Sequence, residues 1–577
     1  MIQEQVPIMP SLTALERDQA LTKPAYRILS EKFGEKVLHV SDYRGDLAIT
    51  VDPSAWKEAA RTLREHPELD YKLFLDLCGV DYLNDESRPL RFEVALHLYS
   101  VTHKHHIRIK VALPERSPIV ETLTGIYKGA NWFEREAFDL YGIVFTGHPN
   151  LTRILTHEDF VGHPMRKDFP TGKRFVTKKP KEWLITVPKG SEHLVLNIGP
   201  SHPAMHGTFR VQALLDGETI KESEAEIGYL HRNFEKMAEE RTYWQIIPYT
   251  DRLNYCSAFI NGHGWALAVE KLMGVPAPPR AEAIRVILSE FSRIMDHLIC
   301  ISTNVVDLGA ITPFFVVFRA REEIYDLLDS VCGARLTVSY ARIGGVAQDV
   351  PDDFDARSRK TLDWIREVTE QMDKLLTRNI IFAKRFKDVG TLSKDDALSY
   401  GWVGPCLRGS GVGYDIRKDH PYSGYDQYDF DVPVGTVGDC YDRYLVRVEE
   451  IRQSIRIIEQ ALSKMPKGPF ITDDRRVALP PKSEVYSDIE SLMNHFKLVY
   501  DGILAPPGEV YGYVEGGNGE LGYYIVSDGK KHPSRVKVRP PCYNIYQAYP
   551  EMIKGKLIAD AVAMIGGLNV VAGELDR

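Results

Sequence analysis

No apolar run in this chain of 577 residues approaches the roughly 18 residues needed to cross a bilayer. The longest candidate, 561–572, is interrupted by Gly566, Gly567 and Asn569. Met1 to Pro10 has no basic region leading into an apolar core, so no secretory signal is expected. None of the seven cysteines belongs to a Cys-x-x-Cys pair. Scattered single thiols belong to a reduced, cytosolic setting without a disulfide framework. They argue against an iron–sulfur cluster or structural zinc held by this chain alone. Net positive charge is missing as well. The formal charge of -8 argues against binding nucleic acid. There is no internal repeat, and work at a membrane would require docking through partners.

What is present fits a soluble, multi-domain protein. The apolar fraction of 44% and charged fraction of 26% are ordinary, and the length allows two or three domains. Residues 1–23 read as a lead-in. An α+β N-terminal domain is expected over 24–170, with helices at 24–33, 54–65, 118–127 and 132–140. Ser54 is a candidate N-cap. Strands are expected at 36–40, 47–51, 71–77, 92–99 and 106–113. The last two alternate cleanly (Phe92, Val94, Leu96, Leu98; Ile107, Ile109, Val111), as half-buried antiparallel strands do. A basic, proline-containing run at 171–190 reads as a linker.

The remaining stretch, 191–577, reads as a mainly α C-terminal domain with a small N-terminal β-sheet. Strands are expected at 194–198, 208–215 and 219–227, with Asp216-Gly217 as a hairpin turn. His202 and His206 lie on a Gly/Pro-rich loop, Asn197 to Gly207, between two of these strands. Helical periodicity then recurs at 265–273, 281–304, 321–336, 353–376, 442–465 and 483–500, enough for a bundle core. The tail, from 506 onward, is Gly/Pro-rich, with strands at 522–527 and 535–539.

Taken singly, the candidate residues have bland readings. His206 would brace its loop, Tyr255 would be a half-buried core tyrosine, and Asp307 would end a helix. His148 and His163 stand in Gly-His-Pro turns. They either hold an extended arm in place or contribute to a metal site, and no acidic or thiol ligand has convincing spacing for the second.

The segments Glu134 to Pro149, Arg153-Ile154-Leu155 and Gly162 to Pro170 resemble the signature of the 30-kDa-type (C) subunit of the proton-pumping NADH–quinone oxidoreductases, respiratory complex I. Thr152 stands where that family usually has a second arginine. The resemblance implies a scaffold without its own cofactor. The larger region resembles the 49-kDa-type (D) subunit. It does so through Gly199-Pro200-Ser201-His202-Pro203-Ala204-Met205-His206-Gly207, His231 to Lys236, Pro278 to Glu282, Asp307 to Phe315, Arg342 to Val346, Gly404 to Gly411 and Gly519 to Tyr524. The chain is thus similar to a natural C/D fusion.

The D region is similar, more distantly, to the nickel–iron hydrogenase large subunit, which implies a helical bundle of that kind. A nickel site needs two Cys-x-x-Cys pairs, since thiolates are the soft ligands that hold such metals. Cys256 stands alone where one pair would fall, and 569–574 has no cysteine. The resemblance therefore implies a cavity open to a quinone headgroup, bound between this chain and a partner carrying the terminal iron–sulfur cluster. By the same resemblance His206 and Tyr255 bind and protonate the two quinone oxygens, an imidazole and a phenol both being able to donate hydrogen bonds and protons. Asp307 is implied as the carboxylate that orients His206, and Arg252 as a cation near the partner's cluster.

Thr337 stands where the family often has a histidine coupling the cluster's potential to pH. Threonine cannot titrate, so a pH-insensitive, lower-potential cluster and a menaquinone-type acceptor are expected. Asn569-Val570 replaces a common Asp-Pro, with little consequence expected.

The implied function is a subunit of a proton-translocating NADH–quinone oxidoreductase, inactive alone and docked on the cytoplasmic side of the bacterial inner membrane. Its implied partners are the B-type iron–sulfur subunit, the I-type subunit and the H-type membrane subunit, with FMN and the iron–sulfur clusters in partner subunits. Rival readings are a related complex fed by ferredoxin or a deazaflavin, a membrane-bound hydrogenase subunit, and a scaffold with no ligand site.

Overall fold

The computed structural model describes residues 17–83, 85, 87, 88, 90–172, 184, 185, 190 and 192–577. Most of the expected linker 171–190, and 1–16 of the lead-in, lie outside these. The described end of the lead-in, Arg17–Leu21, is helical. The chain divides into two units: Met1–Glu182 with Asp395–Trp402 and Pro507–Val510, and the remainder.

The first unit is built on a five-stranded sheet in the spatial order Val37–Tyr43, Asp46–Val51, His105–Leu113, Phe92–Ser100, Leu73–Asp81. All neighbours are antiparallel except Asp46–Val51 with His105–Leu113. The alternation at 92–113 does set the pleat, but the strands are not half-buried. Leu73–Asp81 and Phe92–Ser100 are buried at every position. The sheet's polar residues include Asp76, Glu93, His97, Arg108 and Lys110, all buried.

A carboxylate from far downstream satisfies part of this face. Glu509 accepts hydrogen bonds from Lys110 Nζ at 2.9 Å and from Arg88 Nη2 at 3.0 Å. Burial alone would raise the Glu509 carboxyl, but Lys110, Arg108 and Arg88 hold it well below the ordinary range.

Two local expectations fail in this unit. The stretch expected as a helix at 118–127 contains the strand Ile119–Glu121, paired in parallel with Val144–Thr146. Backbone pairing outweighs local propensity there. Ser54 is not an N-cap. Its N–H and hydroxyl both donate to Asp52 Oδ1, and the helix begins at Trp56.

The helix Ala130–Tyr141 anchors the irregular arm that follows it. Asp139, wholly buried, accepts from the backbone N–H groups of Ile154, Leu155 and Thr156 and from Arg153 Nη1. His163 Nδ1 donates to Asp139 O at 2.9 Å and His148 Nε2 to Asn131 O at 3.1 Å. Both histidines thus brace backbone.

The second unit centres on the helix Pro279–Asp307, 29 residues long and buried along most of its length. It packs against Ala258–Met273, Ile311–Cys332, Cys440–Lys464 and Ile558–Leu568. Most of its polar positions are buried too. Arg285 pairs with Glu270, Glu290 with Arg293 and Arg417, and His297 with Glu450. Two three-stranded sheets and the short antiparallel pair Ala341–Arg342 with Gly345–Val346 complete the unit among the described residues. One sheet is Thr219–Glu226, Arg210–Asp216, Leu194–Ile198, with Asp216 opposite Thr219 across the expected hairpin. The other has Gly519–Ser527 at its centre. The chain therefore has an α+β N-terminal part and a mainly helical C-terminal part. The helix expected over 483–500 is broken. Lys482–Ser487 and Ile489–Tyr500 meet at Asp488, which is extended and caps the second helix through Ser491 N.

Candidate functional site

The His206 loop leaves one strand of the small sheet and returns on its antiparallel neighbour, so both of its ends are fixed. Within it, Pro203–Met205 forms a single 3₁₀ turn capped by His202, whose Nδ1 accepts from Ala204 N. His206 ends that turn with φ +55°, in the left-handed region. This unusual backbone conformation turns the imidazole toward the end of the long helix, where His206 Nε2 donates to Asp307 Oδ2 at 2.5 Å. Nε2 therefore carries a hydrogen. Among the described residues Nδ1 has no partner.

Tyr255 opens a 3₁₀ turn, Tyr255–Ser257, capped by Asn254. The residue is 38% exposed and its hydroxyl has no partner among the described residues. Burial pushes the phenol up to about 12, so it stays protonated at neutral pH and available as a donor.

The first two residues of the helix Ala572–Asp576 join these two places. A Cβ placed on Gly207, next to His206, would lie 3.0 Å from Ala572 Cβ. One placed on Gly573 would lie 3.6 Å from the Tyr255 ring and 2.6 Å from Arg252 O. Gly207, the residue after His206, and the Tyr255 ring thus lie against neighbouring residues, Ala572 and Gly573.

Behind Tyr255 lies a buried polar cluster that sequence reasoning did not single out. Asp296, on the long helix, accepts from Asn254 Nδ2 at 2.8 Å, Ser257 Oγ at 3.1 Å and Asn569 Nδ2 at 2.9 Å. The neighbourhood of Cys256 and the stretch 569–574, where the thiolate pairs of a nickel site would fall, meet on this one carboxylate. Asn569 also donates to Asn518 Oδ1 at 2.6 Å. Glu574 accepts from Cys542 N at 2.8 Å, and burial pushes its carboxyl up to about 7. The thiols of Cys256 and Cys542 are raised by burial, which keeps them protonated and unreactive. No group of three or more candidate metal ligands occurs among the described residues.

Arg252 is half-exposed and donates to Pro248 O at 2.7 Å. A second guanidinium, Arg232, donates to Arg252 O at 2.9 Å. Beside them Asp251 accepts from both the N–H and the hydroxyl of Ser339 at 2.7 Å. That brings Thr337, two residues earlier, to the same flank.

Comparison with known proteins adds the following. Residues 307–577 match the family model of the 49 Kd subunit of the respiratory-chain NADH dehydrogenase, and 49–175 that of the 30 Kd subunit. The chain is 48% identical to the NADH-quinone oxidoreductase C/D subunit of Bdellovibrio bacteriovorus, over 98% of this chain and 100% of that one. It belongs to the NADH-quinone oxidoreductase C/D subunit family. Similar proteins of the same name come from Nitrosospira multiformis, at 40% identity over 90% of this chain and 89% of that one, and Yersinia pestis, at 39% over 96% and 97%.

As a complex I subunit of this C/D kind, it is part of an oxidoreductase whose substrate is a quinone, and other subunits of that complex are its partners. No helix among the described residues is long and apolar enough to cross a membrane. Asp307 is the first residue of the 49 Kd match, whereas His206 and Tyr255 precede it.

Proposed function

We propose that this chain forms the quinone headgroup site of the oxidoreductase, with His206 and Tyr255 as the two proton donors. One observation carries the reading. A histidine fixed by a carboxylate, through the next residue Gly207, and a tyrosine with an unengaged hydroxyl both border the start of the helix Ala572–Asp576. Reduction of a quinone to a quinol takes two electrons and two protons. The electrons come from the partner's terminal iron–sulfur cluster. Tyr255 O–H gives one proton to one oxygen. In the imidazolium form, His206 keeps Nε2–H on Asp307 and gives Nδ1–H to the other. Val306, Ile311 and Phe315, exposed around Asp307, supply apolar surface for the quinone's tail.

In this reading 24–170 is the 30-kDa-type domain and 191–577 the 49-kDa-type domain. The latter has a hydrogenase large-subunit-like bundle in which Asp296 ties together the two places where thiolates are missing. The B-, I- and H-type subunits are the neighbours, with the FMN and clusters in partner subunits. The complex sits with this chain on the cytoplasmic side of the inner membrane. Arg252 stands toward the cluster, and Thr337 leaves that cluster without a titrating neighbour, which favours a menaquinone-type acceptor.

The test uses the assembled complex. His206→Ala and Tyr255→Phe are expected to lower NADH–quinone activity at least tenfold while electron delivery to ferricyanide stays unchanged. Full quinone activity in both variants would leave the chain as a scaffold.

A further inference from the structure

The helix Ile489–Tyr500 buries only Leu498. Ile489, Leu492, Met493, Phe496, Val499 and Tyr500 all face solvent, with Phe496 59% and Tyr500 72% exposed. At 100° per residue these six cover a stripe about 120° wide, the width of a helix face meant for burial. Phe496 and Tyr500 stack with ring planes 3° apart and centroids 5.8 Å apart. The six expose on the order of 700 Å² together, above the ~300–600 Å² typical of a monomer's largest apolar patch and close to the ~800 Å² that one partner brings to a standard interface. A helix of twelve residues with one buried side chain is marginal by itself.

We infer that this face docks into a concave apolar groove, basic at its rim, on another, non-identical subunit of the same oxidoreductase. Three observations select that occupant. The chain belongs to a family whose members are subunits of an assembly, so protein partners exist. The helix and its cap carry the carboxylates Asp488, Glu490 and Asp501 against one ammonium, Lys497. A helix lying on lipid carries the opposite balance, with Lys and Arg along its polar rim. The stripe is also convex and broad. Two copies crossing helix on helix would cover only a narrow seam, whereas a groove covers the full width. The inference rests on family membership and this helix, not on the quinone site, and each can fail without the other.

The experiment places a photoreactive phenylalanine analogue at position 496 in the complete complex purified from membranes. The expected product is one adduct with a single, different subunit of the complex. An adduct between two copies of this chain, an adduct with lipid, or no adduct with another chain would each overturn the inference. In parallel, Phe496→Glu and Val499→Glu are expected to leave the melting temperature of the full chain unchanged and to lower its recovery in the complex at least tenfold, with Phe496→Leu restoring recovery. Native recovery of both Glu variants overturns the inference. If a Glu variant lowers the chain's own melting temperature, the cross-link decides.

Discussion

Asp307, the last residue of the central helix, accepts a 2.5 Å hydrogen bond from His206, which lies 101 residues earlier. The pair separates two roles of a carboxylate: fixing a ring and balancing its charge. Asp307→Asn keeps an oxygen for Nε2–H but removes the charge, and Asp307→Ala removes both. Quinone reduction is expected to fall about tenfold in the first and further in the second. Ferricyanide reduction by the same preparations serves as the control.

The phenol of Tyr255 is raised to about 12 by burial. The folded state holds that proton more tightly than an unfolded chain, whose tyrosines titrate near ~10. Its contribution to stability is therefore complete below about pH 10 and is lost as pH rises toward 12. The donor role is expected to stay constant from pH 6 to 9. A pH–activity profile of the complex over that range should show no limb that Tyr255→Phe removes.

Gly573 has no room for a side chain. A Cβ there would meet Arg252 O at 2.6 Å and Leu253 O at 2.8 Å, both backbone atoms. Gly573→Ala must push the Tyr255 segment away, at a strain of about 1–3 kcal/mol. Thermal melting of the full chain should fall accordingly, and the assembled complex should show a raised KM for quinone.

Position 337 can be given a titrating side chain. Redox titration of the native complex is expected to give a terminal cluster potential independent of pH. Thr337→His should introduce a slope of up to about 59 mV per pH unit, the limit for one proton per electron. A slope already present in the native protein would reject the role given to this position.

Glu134, buried in the first unit, accepts from Thr122 Oγ1 at 2.5 Å and Leu123 N at 2.6 Å, and burial pushes its carboxyl up to about 8. An unfolded glutamate titrates near ~4.3. Between those values the folded state binds the extra proton, so stability is lost as pH rises, at no more than about 1.4 kcal/mol per pH unit. Glu134→Gln can keep both contacts without ionising. Denaturant melts from pH 5 to 8 should be flatter in that variant.

Where one residue's neighbours in sequence dominate its surroundings, the fold was legible. The alternation at 92–113, the Asp216-Gly217 turn and the period of the central helix all led to the observed elements. Legibility ended where contact came from far away. The polar face of the first sheet reads as solvated, yet it is buried and Glu509 pairs with it. The periodicity at 281–304 marks only the apolar positions, and it gives no sign that Arg285, Glu290, Arg293 and His297 are each buried with an ionic partner. The 483–500 helix reads as continuous because its period is unbroken, while capping by Asp488 is a local hydrogen bond that competes with it.

The candidate site divides the same way. Sequence alone determined its residue types: an imidazole in a Gly/Pro-rich loop, a phenol, a carboxylate, and the lack of the thiolates a nickel centre needs. The family resemblance implied that Asp307 orients His206, and the tertiary structure supplied the hydrogen bond; only the tertiary structure decided that Tyr255 lies against Gly573 beside the His206 loop and that Asp296 ties 254–257 to 569. Side-chain chemistry is a property of one residue, whereas proximity depends on how helices pack, and packing joins groups hundreds of positions apart.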